Sequence, residues 1–321
     1  MKTRPEVWQA AKKPPRKSAV WSIGIFSGPT LSELRPVTGV DMPVLSAQDV
    51  ADVPAEFVAD PFMIVVKKTW YMFFEVMNAR TGKGDIGLAI SQDGLKWDYQ
   101  QIVLSEPFHL SYPYIFCHRG EHFMIPESYE ASSVRLYRAD PFPLKWAYAG
   151  TLLEGPWVDS SLFFFDGRWW MFSNPVSPEN QVLELFHADM ITGPWQRHPM
   201  SPLITGNKRI ARGGGRNIVL SGRPIRFAQD CVPVYGTGVR AFEVSVLTAS
   251  DYAEQELPRS PILTAGDETW RAQGMHHIDA HFLNSSWFAC VDGWRLEERT
   301  LEAPTQEFTA GLANDQNRDA Q

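Results

Sequence analysis

One unit recurs five times between residues 58 and 293: a polar residue, an apolar run, a turn of a few polar residues, and a second apolar run that ends on a polar group. Its copies read ADPFMIVVKKTWYMFFE (59–75), SYPYIFCHRGEHFMIPES (111–128), VDSSLFFFDGRWWMFSN (158–174), GRNIVLSGRPIRFAQD (215–230) and IDAHFLNSSWFACVDG (278–293). The turn chemistry KKT, HRGEH, DGR, SGR and NSS is that of tight β-hairpins. A spacing of roughly 45–65 residues between copies is the period of propeller blades. Between them lie segments such as DIGLAISQDGLKWDY, SSVRLYRADPFPLKWAYAG and LELFHADMITGPWQRH, which suit the outer two strands of a four-stranded blade. The expected fold is therefore all-β, a five-bladed β-propeller. The competing reading is a β-sandwich whose strands resemble one another by accident.

The strand VWSIGIFSG (20–28) precedes the first hairpin and is expected to supply the outer strand of the last blade, closing the ring and removing sheet edges. This divides the chain into a flexible N-terminal segment (1–19), a propeller domain (20–302) and a polar, Asn/Gln/Asp-rich disordered tail (303–321).

Composition narrows the function classes. A net charge of −7 gives no global basic field for nucleic acid. No apolar stretch reaches the roughly 18 residues of a membrane span, and the basic N-terminus lacks the apolar run of a secretory signal, so the expected location is cytoplasmic. Cys117, Cys231 and Cys290 form no paired spacing and read as reduced core thiols.

A hairpin starts and ends at the same edge of its blade. The residues opening the five units (Asp60, Tyr112, Asp159, Arg216, Asp279) and closing them (Glu75, Glu127, Asn174, Gln229 with Asp230, Asp292) should therefore face one mouth. Converging carboxylates shift one another's pKa values, so that one can remain protonated while another ionises. That division of labour is what glycosidic bond cleavage or transfer requires. Arg226 and His276 are expected on the same rim as ligand-binding groups. Of the adjacent His276 and His277 only one is expected to join the site, because neighbours on a strand point to opposite faces. A cation held by these histidines and Asp279 is one option for the channel, although no metal or cofactor is required by the chemistry. RGGGR (212–216) lacks the Lys-Ser/Thr and helix of a phosphate loop and reads as a flexible connection carrying Arg212 and Arg216 to the rim. Each acid also has a plainer role: Asp60 as a strand-start turn residue, Asp159 capping its own backbone, Glu127 paired with Arg135 or Arg226.

The ADPF opener, the VDSSLFFFDGRWWMF unit and the five-fold layout resemble the five-bladed glycoside-hydrolase superfamily of arabinanases, invertases and levansucrases. WSIGIFSGP, DVPAEFVADPF, FMIPES, RGGGRNI, RPIRFAQDC with YGTGV, and GMHHIDA are similar, over roughly residues 20–295, to the N-terminal domain of plant glucosamine inositolphosphorylceramide transferases and its bacterial relatives. The resemblance to the hydrolases implies Asp60 as nucleophile or base, Asp159 as the residue that tunes or orients the acid, and a Glu or Asp elsewhere on the rim as general acid; Glu127 is the choice here, although its place in the second blade departs from the usual pattern. Substrate contacts would come from Glu75, Tyr112, Arg212, Arg216, Arg226, Gln229, Asp230, His276 and Asp279. The implied partner is a carbohydrate or glycoconjugate, phosphorylated or nucleotide-linked in one version. The alternatives are a glycosyltransferase of envelope glycan or glycolipid synthesis and a non-catalytic glycan-binding propeller.

Overall fold

The computed structural model describes residues 16–177 and 181–299. Of the expected loose segments 1–19 and 303–321, residues 1–15 and 303–321 lie outside the described residues, and residues 16–19 are strand. Residues 19–295 form one compact unit; of the other, Met1–Ser18 with Leu296–Gln321, the described stretches 16–18 and 296–299 are strand.

The chain begins with β1 (Arg16–Gly28) and β2 (Arg35–Pro36). Blade 1 follows as β3 (Ala55–Val66), β4 (Thr69–Asn78), β5 (Lys83–Ser91) and β6 (Asp98–Leu104). Blade 2 is β7 (Ser111–His118), β8 (Glu121–Glu127), β9 (Ser133–Ala139) and β10 (Trp146–Glu154). Blade 3 is β11 (Trp157–Phe165), β12 (Arg168–Pro175), β13 (Glu184–Ala188) and β14 (Gln196–Arg197). Blade 4 is β15 (Ile218–Leu220), β16 (Arg223–Asp230), β17 (Gly238–Leu247) and β18 (Tyr252–Glu256), with β19 (Leu263–Thr264) also paired to β17. Blade 5 joins the first and last described strands: β20 (Ile278–Leu283) and β21 (Ser286–Arg299) continue into β1 and β2 in one four-stranded sheet. The expected five-bladed propeller is thus the fold. β1 closes the ring as the third strand of blade 5; the outermost is the short β2.

Among the described residues there is no α-helix, only four 3-10 turns. The core is a set of apolar layers between blades. One gathers Phe62 and Phe73 of blade 1, Tyr114 and Ile125 of blade 2, and Leu162 and Met171 of blade 3. Others lie between blades 3 and 4 around Phe172 and Val244, and between blades 4 and 5 around Phe227 and Val291. Each such side chain contributes roughly 1.5–3 kcal/mol on burial, which makes neighbouring blades mutually dependent. Cys231 and Cys290 are buried free thiols as expected, whereas Cys117 is exposed.

The five inner hairpins share one turn. Val66 pairs with Thr69, His118 with Glu121, Phe165 with Arg168, Leu220 with Arg223 and Leu283 with Ser286. Each therefore has a two-residue loop, and both loop residues have positive φ: Lys67–Lys68, Arg119–Gly120, Asp166–Gly167, Ser221–Gly222 and Asn284–Ser285. That is the primed geometry whose twist matches the flanking strands.

Candidate functional site: a buried acid pit

At the other end of the hairpins the first three blades carry an identical irregularity. Ala59 pairs with Glu75 but Phe62 with Phe73; Ser111 pairs with Glu127 but Tyr114 with Ile125; Val158 pairs with Asn174 but Ser161 with Phe172. Each inner strand holds one extra residue, a β-bulge. In each bulge one non-glycine residue sits in the left-handed region: Asp60 at φ 52°, Tyr112 at 45° and Asp159 at 49°. Such conformations cost on the order of 1–3 kcal/mol and are held only by their surroundings. The strand-closing residues Glu75, Glu127 and Asn174 stand opposite the residue just before each bulge, which is why openers and closers converge.

Asp60 is buried. Its backbone N–H donates to Asp292 Oδ2 at 3.0 Å, and its Oδ2 accepts from the Tyr112 N–H at 3.3 Å. Its Oδ1 lies 3.5 Å from His276 Nε2 and 3.6 Å from His277 Nδ1. Burial pushes its carboxyl up to about 7; His276 opposes the rise, and the charges of Asp292 and Asp159 add to it. Asp292 is held below the usual carboxylate range despite its burial, chiefly by His276. Its oxygens accept from the N–H groups of Asp60, His276 and His277 and meet the His276 ring nitrogen at 2.8 Å. Burial favours the neutral ring of His276, but Asp292 and Asp60 outweigh it and carry the imidazole upward. His277 goes the other way, down to about 4, because burial dominates.

Across the pit, Arg212 bridges two acids. Its Nε donates to Asp159 Oδ2 at 2.5 Å and its Nη2 lies 3.6 Å from Glu127 Oε2. Gln229 Nε2 donates to Asp159 Oδ2 at 3.0 Å. Burial raises the Glu127 carboxyl well above its ordinary range, the Asp159 charge adds to this, and Arg212 only partly offsets it. Glu127 Oε2 is buried without a hydrogen-bond partner. Glu75 is raised by burial and by the neighbouring acids, and its Oε1 stands 3.4 Å from His109 Nε2. Glu127 thus has Arg212 as its ionic neighbour, rather than the Arg135 or Arg226 considered from sequence.

The glycines before Arg216 are tightly packed, which corrects the flexible connection expected from sequence. A Cβ on Gly215 would lie 1.7 Å from the Ile278 carbonyl oxygen, and one on Gly214 would lie 3.0 Å from the Ala228 backbone. Asn174 Oδ1 accepts from the Gly213 N–H, and the Tyr112 hydroxyl accepts from the Gly215 N–H. Only backbone this bare fits between blades 3, 4 and 5, and it sets Arg212 in the pit.

Other expected site residues have different places. Tyr112 is fully buried and its hydroxyl is taken by Ser161 and Gly215, so it is a channel strut. Arg216 and Asp279 pair with each other at 2.5 Å farther along the channel, where Asp279 also accepts from Met63 N–H and Arg216 lies over the Tyr114 ring. Arg226 is not on the rim at all: it is buried between blades, bidentate to Glu254 and donating to the Ile210 carbonyl. Asp230 is held by Arg209 and Arg240. Both adjacent histidines reach Asp60, because residues 275–277 precede β20 and do not follow strand alternation.

Two contributors escaped the sequence reading of the site. Asp292 closes the fifth unit but was not picked as a binding residue. Tyr235, in the loop between β16 and β17, sits over the mouth. The Arg212 guanidinium lies 5.2 Å from its ring centroid, and its ring meets those of His276 at 5.2 Å and Trp21 at 6.2 Å. It is 40% exposed and presents an aromatic face beside Arg212 and His276. As to cations, Asp60, His276 and Asp292 present ligand atoms within 4.8 Å of one another; Asp279, expected in such a group, is committed to Arg216.

Residues 15–294 match the model of the family described as glucosamine inositolphosphorylceramide transferase 1, N-terminal. The chain belongs to this family. The glucosamine inositolphosphorylceramide transferase 1 of Oryza sativa subsp. japonica is 36% identical over 298 residues, covering 86% of this chain and 40% of that protein. The Arabidopsis thaliana protein of the same name is 35% identical over 303 residues, covering 88% and 40%. The chain thus spans about 40% of the length of these curated relatives. For the glucosamine inositolphosphorylceramide transferase N-terminal fold there are solved structural likenesses. A putative glycoside hydrolase from Parabacteroides distasonis matches with a TM-score of 0.60 at 11% identity, over 80% of this chain and 95% of that one. A family 117 glycoside hydrolase from Zobellia galactanivorans matches with a TM-score of 0.51 at 14% identity, over 73% and 84%. At such identities the likeness is one of fold.

Proposed function

We propose that this propeller is a carbohydrate-active enzyme that cleaves or transfers a glycosyl unit in the acid pit. The observation that carries the reading is the pairing of two unlike carboxyls in one buried site. Burial and the Asp159 charge raise the Glu127 carboxyl well above its ordinary range, and its Oε2 has no hydrogen-bond partner. The Asp60 carboxyl is pushed up to about 7 by burial, beside His276, whose imidazole Asp292 and Asp60 carry upward. Glu127 then donates its proton to the departing glycosidic oxygen, and Asp60 attacks the anomeric carbon or takes the proton of the attacking water or hydroxyl. Arg212 orients Glu127 and Asp159 and carries the positive charge that keeps Asp159 in place. The transferase names of the curated relatives favour a glycoconjugate acceptor over water and a glucosamine-type sugar. The match spans about 40% of those proteins, so the reading rests on the pit.

The test is a screen of para-nitrophenyl glycosides, glucosaminides first, and of nucleotide-sugar donors with inositol-containing acceptors, followed by the pH profile of the best substrate. Activity requires Asp60 ionised and Glu127 protonated. The value of kcat/KM should therefore rise through about pH 7, as Asp60 loses its proton, with an alkaline limb set by the raised Glu127 carboxyl. An acid limb centred in the ordinary carboxylate range would remove Asp60 from the role. Stabilisation by a nucleotide sugar in thermal shift favours the transferase version. Ligand binding without product, unchanged in Asp60→Asn, favours the non-catalytic reading.

Tyr235 supplies an apolar face for a sugar ring entering the pit. Tyr235→Ala should raise KM roughly tenfold with kcat little changed, and Tyr235→Phe should retain most affinity. An unaltered KM in the alanine variant would place the substrate elsewhere on the rim.

A further inference from the structure

The five primed turns gather at the end of the channel opposite the acid pit, and they share more than geometry. Next to them, large apolar side chains stand in the open. Val65, Phe164, Val219, Leu220, Phe282 and Leu283 are each between 37% and 57% exposed, although they flank buried strand residues. The same tips are basic. The turn residues and the pair flanking each turn include Lys67, Lys68, Arg119, Arg168 and Arg223 against Glu121 and Asp166, in a chain of net charge −7. Arg168 and Arg223 are paired with Asp189 and Glu243. Among the described residues, Lys67, Lys68 and Arg119 have no acidic partner within ion-pair distance. Lys67 and Lys68 also occupy the two positive-φ positions, at 51° and 71°, where Asn-Gly fits with far less strain. Turn formation does not account for two lysines there.

We propose that this face of the propeller docks on an anionic phospholipid bilayer. The basic tips meet the negative headgroups, and Phe164, Phe282 and their neighbours enter the interfacial layer. Both ingredients are needed, because neither a few apolar side chains nor a few cations alone gives stable attachment. Self-association through the same ring sets Lys67, Lys68 and Arg119 of two copies against like charges. The turns are closed and leave no free strand edge for an added peptide strand. From Asp60 to Lys67 the inner strand runs seven residues, roughly 20 Å. A docked propeller therefore holds its acid pit open to the aqueous side. No tip residue touches the pit, so this proposal stands or falls apart from the sugar chemistry.

The experiment is co-sedimentation of the full chain with vesicles of phosphatidylcholine, and of phosphatidylcholine mixed with phosphatidylserine. Binding is expected only to the mixed vesicles, weakening as salt rises. Lys67→Glu with Lys68→Glu and Arg119→Glu should cut it by ~100-fold or more. Phe164→Ser with Phe282→Ser should weaken it at every salt concentration. The melting temperature of each variant verifies folding. Absence of binding, equal binding to neutral vesicles, or undiminished binding of the triple variant overturns the proposal. The triple variant keeps every basic residue before Ser18, so attachment through that segment would also appear as undiminished binding. Light scattering on the wild type and the Phe variant covers the remaining outcome: a dimer dissolved by the Phe substitutions would assign the face to a second copy and overturn lipid docking.

Discussion

Asp60→Asn should abolish glycosyl turnover and leave the fold intact. Asparagine keeps an oxygen for the Tyr112 N–H and keeps the size of the side chain at the bulge, where asparagine tolerates left-handed φ as well as aspartate does. It also removes a carboxyl that the surrounding acids repel, so the melting temperature should hold or rise. On the proposed mechanism it loses the electron pair that attacks the anomeric carbon or accepts the proton. The expected fall in kcat/KM is at least ~10²–10⁴-fold. Glu127→Gln should fall by a similar factor on natural glycosides but much less on para-nitrophenyl glycosides, whose departing oxygen needs little protonation. That contrast separates the acid from the base in one pair of assays. An Asp60→Asn enzyme with near wild-type turnover would defeat the mechanism; equal losses of Glu127→Gln on both substrate types would remove Glu127 as the acid.

The second large effect is on stability. Arg226 is about 1% exposed and ties Glu254 and the Ile210 carbonyl together across blade 4, with its guanidinium 4.7 Å from the Phe242 ring centroid. Arg226→Ala leaves Glu254 with an uncompensated charge in a largely buried position and opens a void. Breaking such a pair costs about 3–5 kcal/mol. For a domain of this size that is a fall in melting temperature of roughly 10 °C. Arg226→Met with Glu254→Met should recover most of the loss, since an apolar pair of similar volume avoids the stranded charge. Neither change should alter KM if Arg226 is purely structural. A raised KM with unchanged melting temperature would return Arg226 to the site.

The two arginines show how far the sequence could be read. Arg212 and Arg226 both sit near glycines or apolar runs, and both were expected on the rim. The sign and type of each side chain are visible in the chain, but its partner is not. Arg212 finds Asp159 across 53 residues, and Arg226 finds Glu254 across 28. Hairpin boundaries were legible because they depend on alternation and turn chemistry within a few residues. The convergence of Asp60, Glu127 and Asp159 was legible because hairpin ends repeat at a fixed place in each unit. Tyr235 was not, because it belongs to a loop between units and repeats nowhere. The two histidines were misread because strand alternation was applied to residues that lie just outside a strand.

By itself the chain specifies five hairpins, the chemistry of their turns and at least one carboxyl at the open end of each, all set by contacts over a few residues. The tertiary structure decides which carboxyls are raised and which are drawn down by a partner. Burial and the charges of other blades shift a carboxyl far more than its sequence neighbours do. Asp60 and Asp279 open their hairpins alike, yet one is pushed up to about 7 by burial and the other is drawn below its usual range by Arg216.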